Sequence, residues 1–158
     1  MDRPPSRVLS LFSGIGGLDL GVRRVLGDTE WVAYVECEAF ACGVLAARVS
    51  DGSLAPAPLF AGDVRDFPAA DFRGRVGLVT AGFPCPPVSH AGKRLGTADE
   101  RWLWPEVARV LRETEAGWVL VENVSGLLSA QAGRAFGGVL ADLDALGFDA
   151  EWTSVRAS

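Results

Sequence analysis

The order of the apolar runs, and the residues that end them, constrain this chain most. Val8 to Phe12, Trp31 to Val35, Pro58 to Ala61, Val76 to Ala81 and Trp118 to Val121 each read as a short buried strand. Between them, Leu18 to Leu26, Ala39 to Val49 and Leu103 to Leu111 carry helical spacing, and Pro105 is tolerable because it lies in a first turn. Ala132 to Leu146 reads as a further helix closed by Gly147, and Phe148 onward as the start of a sixth strand. Strands alternating with helices imply an α/β fold, a mostly parallel sheet with helices on both faces. The 158 residues show no repeat and no linker, so one domain over 1–158 is expected.

The unusual residues follow the strands. Gly14, Gly16 and Gly17 come after the first, Glu36 after the second, Asp63 after the third, Cys85 after the fourth and Glu122 after the fifth. In an open α/β sheet the carboxyl ends of parallel strands line the ligand crevice. One rim therefore gathers a glycine turn, three carboxylates and a thiol. Pro84, Pro86 and Pro87 surround Cys85, so neither helix nor ladder continues through it, and a stiff loop suits a nucleophile that must be aimed.

Glu36 lies 20 residues beyond Gly16, the separation at which an acid meets a ribose diol. Asp63 could accept from an exocyclic amine such as that of adenine; the plainer reading of either acid is a loop carboxylate or helix cap. In the dinucleotide fingerprint a third glycine would fall at Asp19, where an acid would repel a pyrophosphate. That weighs against a nicotinamide-dependent oxidoreductase. It favours a cofactor without phosphates and with a charged amine, such as S-adenosylmethionine. Cys85 beside Glu122 suits covalent attack on an unsaturated ring. A dyad of Cys85 with His90 is weaker, because His90 falls in a polar, aperiodic stretch and no oxyanion hole is evident.

Composition narrows the setting. Three cysteines (Cys37, Cys42, Cys85) and one histidine suggest neither a disulfide framework nor a metal site, and fit a reducing cytoplasm. No stretch approaches a membrane span. A net charge of −5 is unlike that of a nucleic-acid binder.

Ser10-Leu-Phe-Ser-Gly-Ile-Gly-Gly-Leu18, Glu36-Cys-Glu38, Gly62-Asp-Val64, Gly82-Phe-Pro-Cys85, Asp99-Glu-Arg-Trp-Leu-Trp104 and Glu122-Asn-Val124 resemble, in order, the early motifs of DNA cytosine-C5 methyltransferases, from about residue 8 to the end of the chain. The resemblance implies a Rossmann-like S-adenosylmethionine-dependent methyltransferase fold and an enzyme of restriction-modification type, bacterial or phage-encoded. It implies that Phe12, Gly14, Ile15, Gly16, Gly17, Glu36, Cys37, Asp63, Val64, Pro84 and Leu103 hold the cofactor. It further implies that Cys85 attacks C6 of a cytosine flipped from double-stranded DNA, with Glu122 on its N3 and amino group. Asn123 would brace the cysteine loop, and Ser89, Lys93, Arg94 and Arg101 would meet DNA.

Two departures qualify the likeness. Pro86 replaces the glutamine usual after the cysteine, so a hydrogen-bond donor is lost. The chain also stops where the family continues into an arginine-rich motif, a target-recognition domain and a late helix. The expectation is thus a C-terminally truncated core that transfers no methyl group alone and needs a second polypeptide. The alternatives are a non-catalytic nucleoside-binding remnant, a split-enzyme subunit, or the oxidoreductase above.

Overall fold

In the computed structural model, residues 6–27, 29–85 and 102–155 are described. Five strands form one sheet: β1 (Arg7–Leu11), β2 (Glu30–Glu36), β3 (Leu59–Ala61), β4 (Leu78–Ala81) and β5 (Trp118–Val121). Their order is β3-β2-β1-β4-β5, and every pairing is parallel. The order reverses direction between β1 and β4, where the loops after these strands diverge to opposite halves of the sheet. Such a divergence opens a crevice at the carboxyl ends.

Two separate cores cover the two faces. On one, Val8, Leu78, Trp31 and Tyr34 pack with Val22 of α1 (Gly17–Leu26) and Leu45 of α2 (Ala39–Ser50). On the other, Leu9, Leu11, Val79 and Ala81 pack with Val107, Val110 and Leu111 of α3 (Trp104–Thr114). Val139 and Leu143 of α5 (Arg134–Ala145) complete that side, beyond the short α4 (Gly126–Ser129). The Trp104 indole donates to Asp142 Oδ2 at 2.8 Å and ties α3 to α5. No helix among the described residues is long and apolar enough to cross a membrane.

Two expectations need correction. Residues 148–155 form no strand. Phe148 to Val155 can look strand-like in isolation, but a strand exists through its pairing, and β5 is the sheet edge on that side with no described neighbour. The last long helix begins at Arg134 rather than Ala132, because Gln131 and Ala132 have φ of 51° and 57°, outside the helical region.

A bulge in β2 proves consequential. Val8 pairs with Trp31 but Leu9 pairs with Ala33, so Val32 is an extra residue in the ladder. Trp31 and Tyr34 therefore share one face despite their spacing of three, and the Trp31 ring reaches the N-terminal turn of α1.

Gly16 marks where β1 hands over to α1. Its φ is +82°, and a Cβ there would lie 2.6 Å from Leu54 Cδ1. Leu54 is fully buried and would have to repack, and the positive φ strains any side chain there whatever the space. We expect Gly16→Ala to destabilise the fold by roughly 1–3 kcal/mol, measured by urea unfolding; an unchanged midpoint would contradict this account of the turn.

Candidate functional site

The turn after β1 is held from three directions. Ser13 N–H donates to Val35 O at 3.1 Å, and Gly16 N–H closes the turn onto Ser13 O at 2.8 Å. The Arg48 guanidinium of α2 donates to Ile15 O at 2.6 Å. Gly14 N–H donates to Glu36 Oε2 at 2.7 Å. Phe12 just before has a φ of 52°, rare for a bulky residue. A conformation of that kind persists only where its surroundings impose it, and such residues cluster at functional sites.

Glu36 does more in the chain than its sequence position suggests. Oε1 accepts Cys37 N–H at 2.9 Å and Glu38 N–H at 2.8 Å, while Oε2 accepts Gly14 N–H. A carboxylate offers about four lone-pair positions, so one is left on Oε2 for a ligand. Asp63 caps the 3-10 turn Val64–Asp66 through Arg65 N–H at 2.9 Å, and its other oxygen meets Arg65 Nη1 at 2.8 Å. The plain cap expected as the alternative is thus present, at the mouth of the cleft.

Two adjoining cavities open at the carboxyl ends of the strands. The larger, about 350 Å³, is lined by Phe12, Gly14, Val35, Glu36, Cys37, Gly62, Asp63, Val64, Gly82, Pro84 and Leu103. The smaller, about 170 Å³, is lined by Ser10, Leu11, Phe12, Ser13, Leu18, Asp19, Gly82 and Glu122. Phe12 and Gly82 line both. A Cβ on Gly82 would make ordinary contact with Glu122 Oε2 at 3.5 Å, so Gly82 lies against Glu122 where the two cavities adjoin.

Of the residues singled out in the sequence, Phe12, Gly14, Glu36, Cys37, Asp63, Val64, Pro84 and Leu103 meet in the larger cleft. Ile15, Gly16 and Gly17 shape the turn without lining it. Glu122 enters the smaller cavity, its N–H anchored to Ala81 O at 3.0 Å. Cys85 lines neither cavity; it follows Pro84 and is half-buried against the α3 and α5 core. Asn123 Nδ2 donates to Phe83 O at 2.8 Å, which fixes the loop two residues before the thiol. Pro86, Ser89, His90, Lys93, Arg94 and Arg101 lie outside the described residues.

Two arginines, and the structural role of one acid, were not foreseen. Arg48 holds Ile15, as above. Arg109 of α3 donates to Val64 O at 2.8 Å and Phe67 O at 3.3 Å, and is itself gripped by Glu106 and Glu113, so it secures the Val64 wall of the cleft. Asp19, placed by its position at the mouth of a helix, instead points inward and is only 1% exposed. It accepts from Ser10 Oγ at 3.0 Å and from Trp31 Nε1 at 3.1 Å. Its spacing of three from buried Val22 was the available signal.

Burial shifts the titrating groups. Desolvation raises the Asp19 carboxyl above its ordinary 3.8, against the opposing bonds from Trp31 and Ser10. Desolvation likewise raises the Cys85 thiol above its ordinary 9.0, and no charged group among the described residues offsets it.

The comparisons with known proteins agree with this geometry. The family model of C-5 cytosine-specific DNA methylases matches residues 6–158. The Type II methyltransferase M.NgoMIV of Neisseria gonorrhoeae is 35% identical over 95% of this chain and 46% of its own length. M.BanI of Aneurinibacillus aneurinilyticus is 33% identical over 96% of this chain and 34% of its own. Among solved structures, a Spodoptera frugiperda DNMT2 mutant superposes with a TM-score of 0.64 at 23% identity, over 86% of this chain and 40% of that one. S. pombe Dnmt2 gives 0.60 at 24% identity, over 86% and 41%. The chain belongs to the C-5 cytosine-specific DNA methylase family and has its Rossmann-like methyltransferase fold. It spans a third to a half of the length of these curated relatives.

Two measurements check the electrostatics. A carboxyl whose folded pKa is raised stabilises the fold fully only below its unfolded value, and that contribution is lost as pH rises through the folded pKa. From pH 3.8 upward, the wild type should therefore lose stability relative to Asp19→Asn; a parallel pair of stability curves would contradict the burial of this acid. Alkylation of Cys85, followed in a Cys37→Ser/Cys42→Ser background, should show a pH midpoint above 9.0; a midpoint below it would reveal an activating partner.

Proposed function

We propose that this chain is the S-adenosylmethionine-binding catalytic core of a DNA cytosine-C5 methyltransferase, one domain over residues 1–158. The observation that carries the reading is the meeting of Phe12, Gly14, Glu36, Asp63 and Pro84 in one cleft beside Glu122. The donor set fits a nucleoside without phosphates. Glu36 and Asp63 are acids, suited to hydroxyls and an amine, and repulsive to a pyrophosphate. Glu36 keeps one acceptor position for a ribose hydroxyl, and the apolar wall of Phe12, Val35, Val64 and Leu103 suits a flat base. The nicotinamide alternative is disfavoured by the same charges.

When bound, the cofactor supplies an electrophilic methyl group. The protein's own part begins with Cys85. Its thiol must first lose a proton, which its buried setting resists, so ionisation is expected to follow substrate entry. The thiolate adds to C6 of an extruded cytosine and sends electron density to C5. Glu122 hydrogen-bonds the ring at N3 and the amino group as charge develops. After C5 has reacted, loss of its proton expels the thiolate and restores the aromatic ring. Asn123 holds Phe83 O so that the thiol keeps its aim.

Segment 86–101, with Ser89, Lys93, Arg94 and Arg101, is assigned to DNA contact, in a cytoplasmic protein. Base selection is assigned to polypeptide matching the remaining length of the relatives, either continuous with this chain or supplied by a partner. That division accounts for the net charge of −5 on a core with a polyanionic substrate.

A ligand that binds only the folded state raises its thermal midpoint. S-adenosylmethionine and S-adenosylhomocysteine should each raise it, and the nicotinamide dinucleotide should not; the reverse pattern would overturn the assignment. In enzyme assembled with the remaining segment, Cys85→Ser should abolish methyl transfer to double-stranded DNA while cofactor affinity changes less than about twofold. Undiminished transfer would remove Cys85 from the mechanism.

A further inference from the structure

Along the wall of the smaller cavity, beside the cofactor cleft, runs a buried polar chain that the proposed reaction does not use. Ser13 Oγ lies 2.8 Å from Ser10 Oγ, and Ser10 Oγ lies 3.0 Å from Asp19 Oδ2. Ser13, Ser10 and Asp19 are all buried, and Trp31 Nε1 takes the other oxygen of Asp19. Proton counting orders the chain. Each serine has one hydroxyl proton. If Ser10 gives its own to Asp19, it can only accept in its contact with Ser13 Oγ, which also lies 3.1 Å from Ser10 O and 3.4 Å from Val35 O. Ser13 follows Phe12 in the strained turn: its N–H holds Val35 O, and its carbonyl holds Gly16 N–H.

We infer that Asp19 is a positioning residue, acting through Ser10 and Ser13 to hold the Phe12–Gly16 turn in its cofactor-receiving conformation. Glu36 and Arg48 grip the turn at Gly14 and Ile15; the relay grips it at Ser13. A buried carboxylic acid costs stability by desolvation, and here its hydrogen bonds specify one backbone geometry in return. Trp31 does not belong to the relay. It fills the acid's second oxygen and packs in the α1 and α2 core, so it contributes stability without touching the turn.

Substitutions separate positioning from general support. Ser10→Ala cuts the relay and leaves both ends in place. Asp19→Ala removes its anchor. Asp19→Asn keeps it with reversed polarity: the amide oxygen accepts from Trp31, the NH2 donates to Ser10, Ser10 donates to Ser13, and Ser13 donates to Ser10 O, which already lies 3.1 Å from its hydroxyl.

The part concerning affinity rests on the cofactor reading above, so a second readout is needed that requires no ligand. Amide hydrogen exchange at Gly14, which donates to Glu36, reports the turn directly. Ser10→Ala and Asp19→Ala should each speed Gly14 exchange and weaken S-adenosylhomocysteine binding by about tenfold, and the double variant should be no worse than either, because both cut one relay. Asp19→Asn should restore most of the loss. Trp31→Phe should lower the thermal midpoint and leave both readouts unchanged.

Additive losses, or Gly14 exchange unmoved by Ser10→Ala, would overturn the inference. So would a Trp31→Phe variant as impaired as Asp19→Ala. If Asp19→Ala does not fold, Ser10→Ala decides alone. If the wild type binds no S-adenosylhomocysteine, the cofactor reading falls, and Gly14 exchange still decides the relay.

Discussion

The bond between Gly14 N–H and the Glu36 carboxylate joins the ends of two adjacent strands, and the shape of the cleft depends on it. Ser13 N–H to Val35 O and Arg48 to Ile15 O also tie the turn after β1 to β2 and α2, but this bond brings a carboxylate to the join. With it, one acid ties the glycine turn to the backbone of Cys37 and Glu38, and Glu38 in turn caps α2 by accepting from Phe40 and Ala41 N–H. A charged acceptor meeting several backbone donors makes bonds about twice as strong as neutral ones. The floor of the cleft is therefore rigid before any ligand arrives. Preorganisation of this kind lowers the ordering cost of binding.

The remaining walls follow the same plan, with side chains on long helices reaching back to carbonyls in the loops. Arg48 on α2 reaches Ile15, and Arg109 on α3 reaches Val64 and Phe67. The acids that hold Arg109 lie three residues before and four after it on α3, so the grip is built within one helix. The sheet supplies positions, and the helices supply the clamps.

Much of this was legible beforehand, for physical reasons. Short apolar runs bounded by glycine and acid identify parallel strands well, because both faces of such a sheet are buried. Once the strands are placed, the chemistry-bearing residues after them must share a rim, and Glu36, Asp63 and Pro84 meet in one cleft accordingly. What escaped depends on pairing or on side-chain direction. The supposed strand from Phe148 has no described neighbour to pair with. Trp31 reaches Asp19 only because Val32 is an extra residue in the β1–β2 ladder, a register shift that alternation cannot announce. In the sequence, Asp19 reads as a charge facing a ligand at a helix start, and its inward direction follows from α1 presenting Asp19 and Val22 to one face.

The cofactor assignment depends most on where a bound nucleoside lies relative to Cys85 and Glu122. The direct measurement is a crystal structure of the chain with S-adenosylhomocysteine. The account predicts its ribose against Glu36, its base along Val35 and Val64, and its sulfur directed past Phe12 toward Gly82 and Glu122. A ligand seated elsewhere on the protein, or Cys85 turned into packed interior away from Glu122, would contradict it.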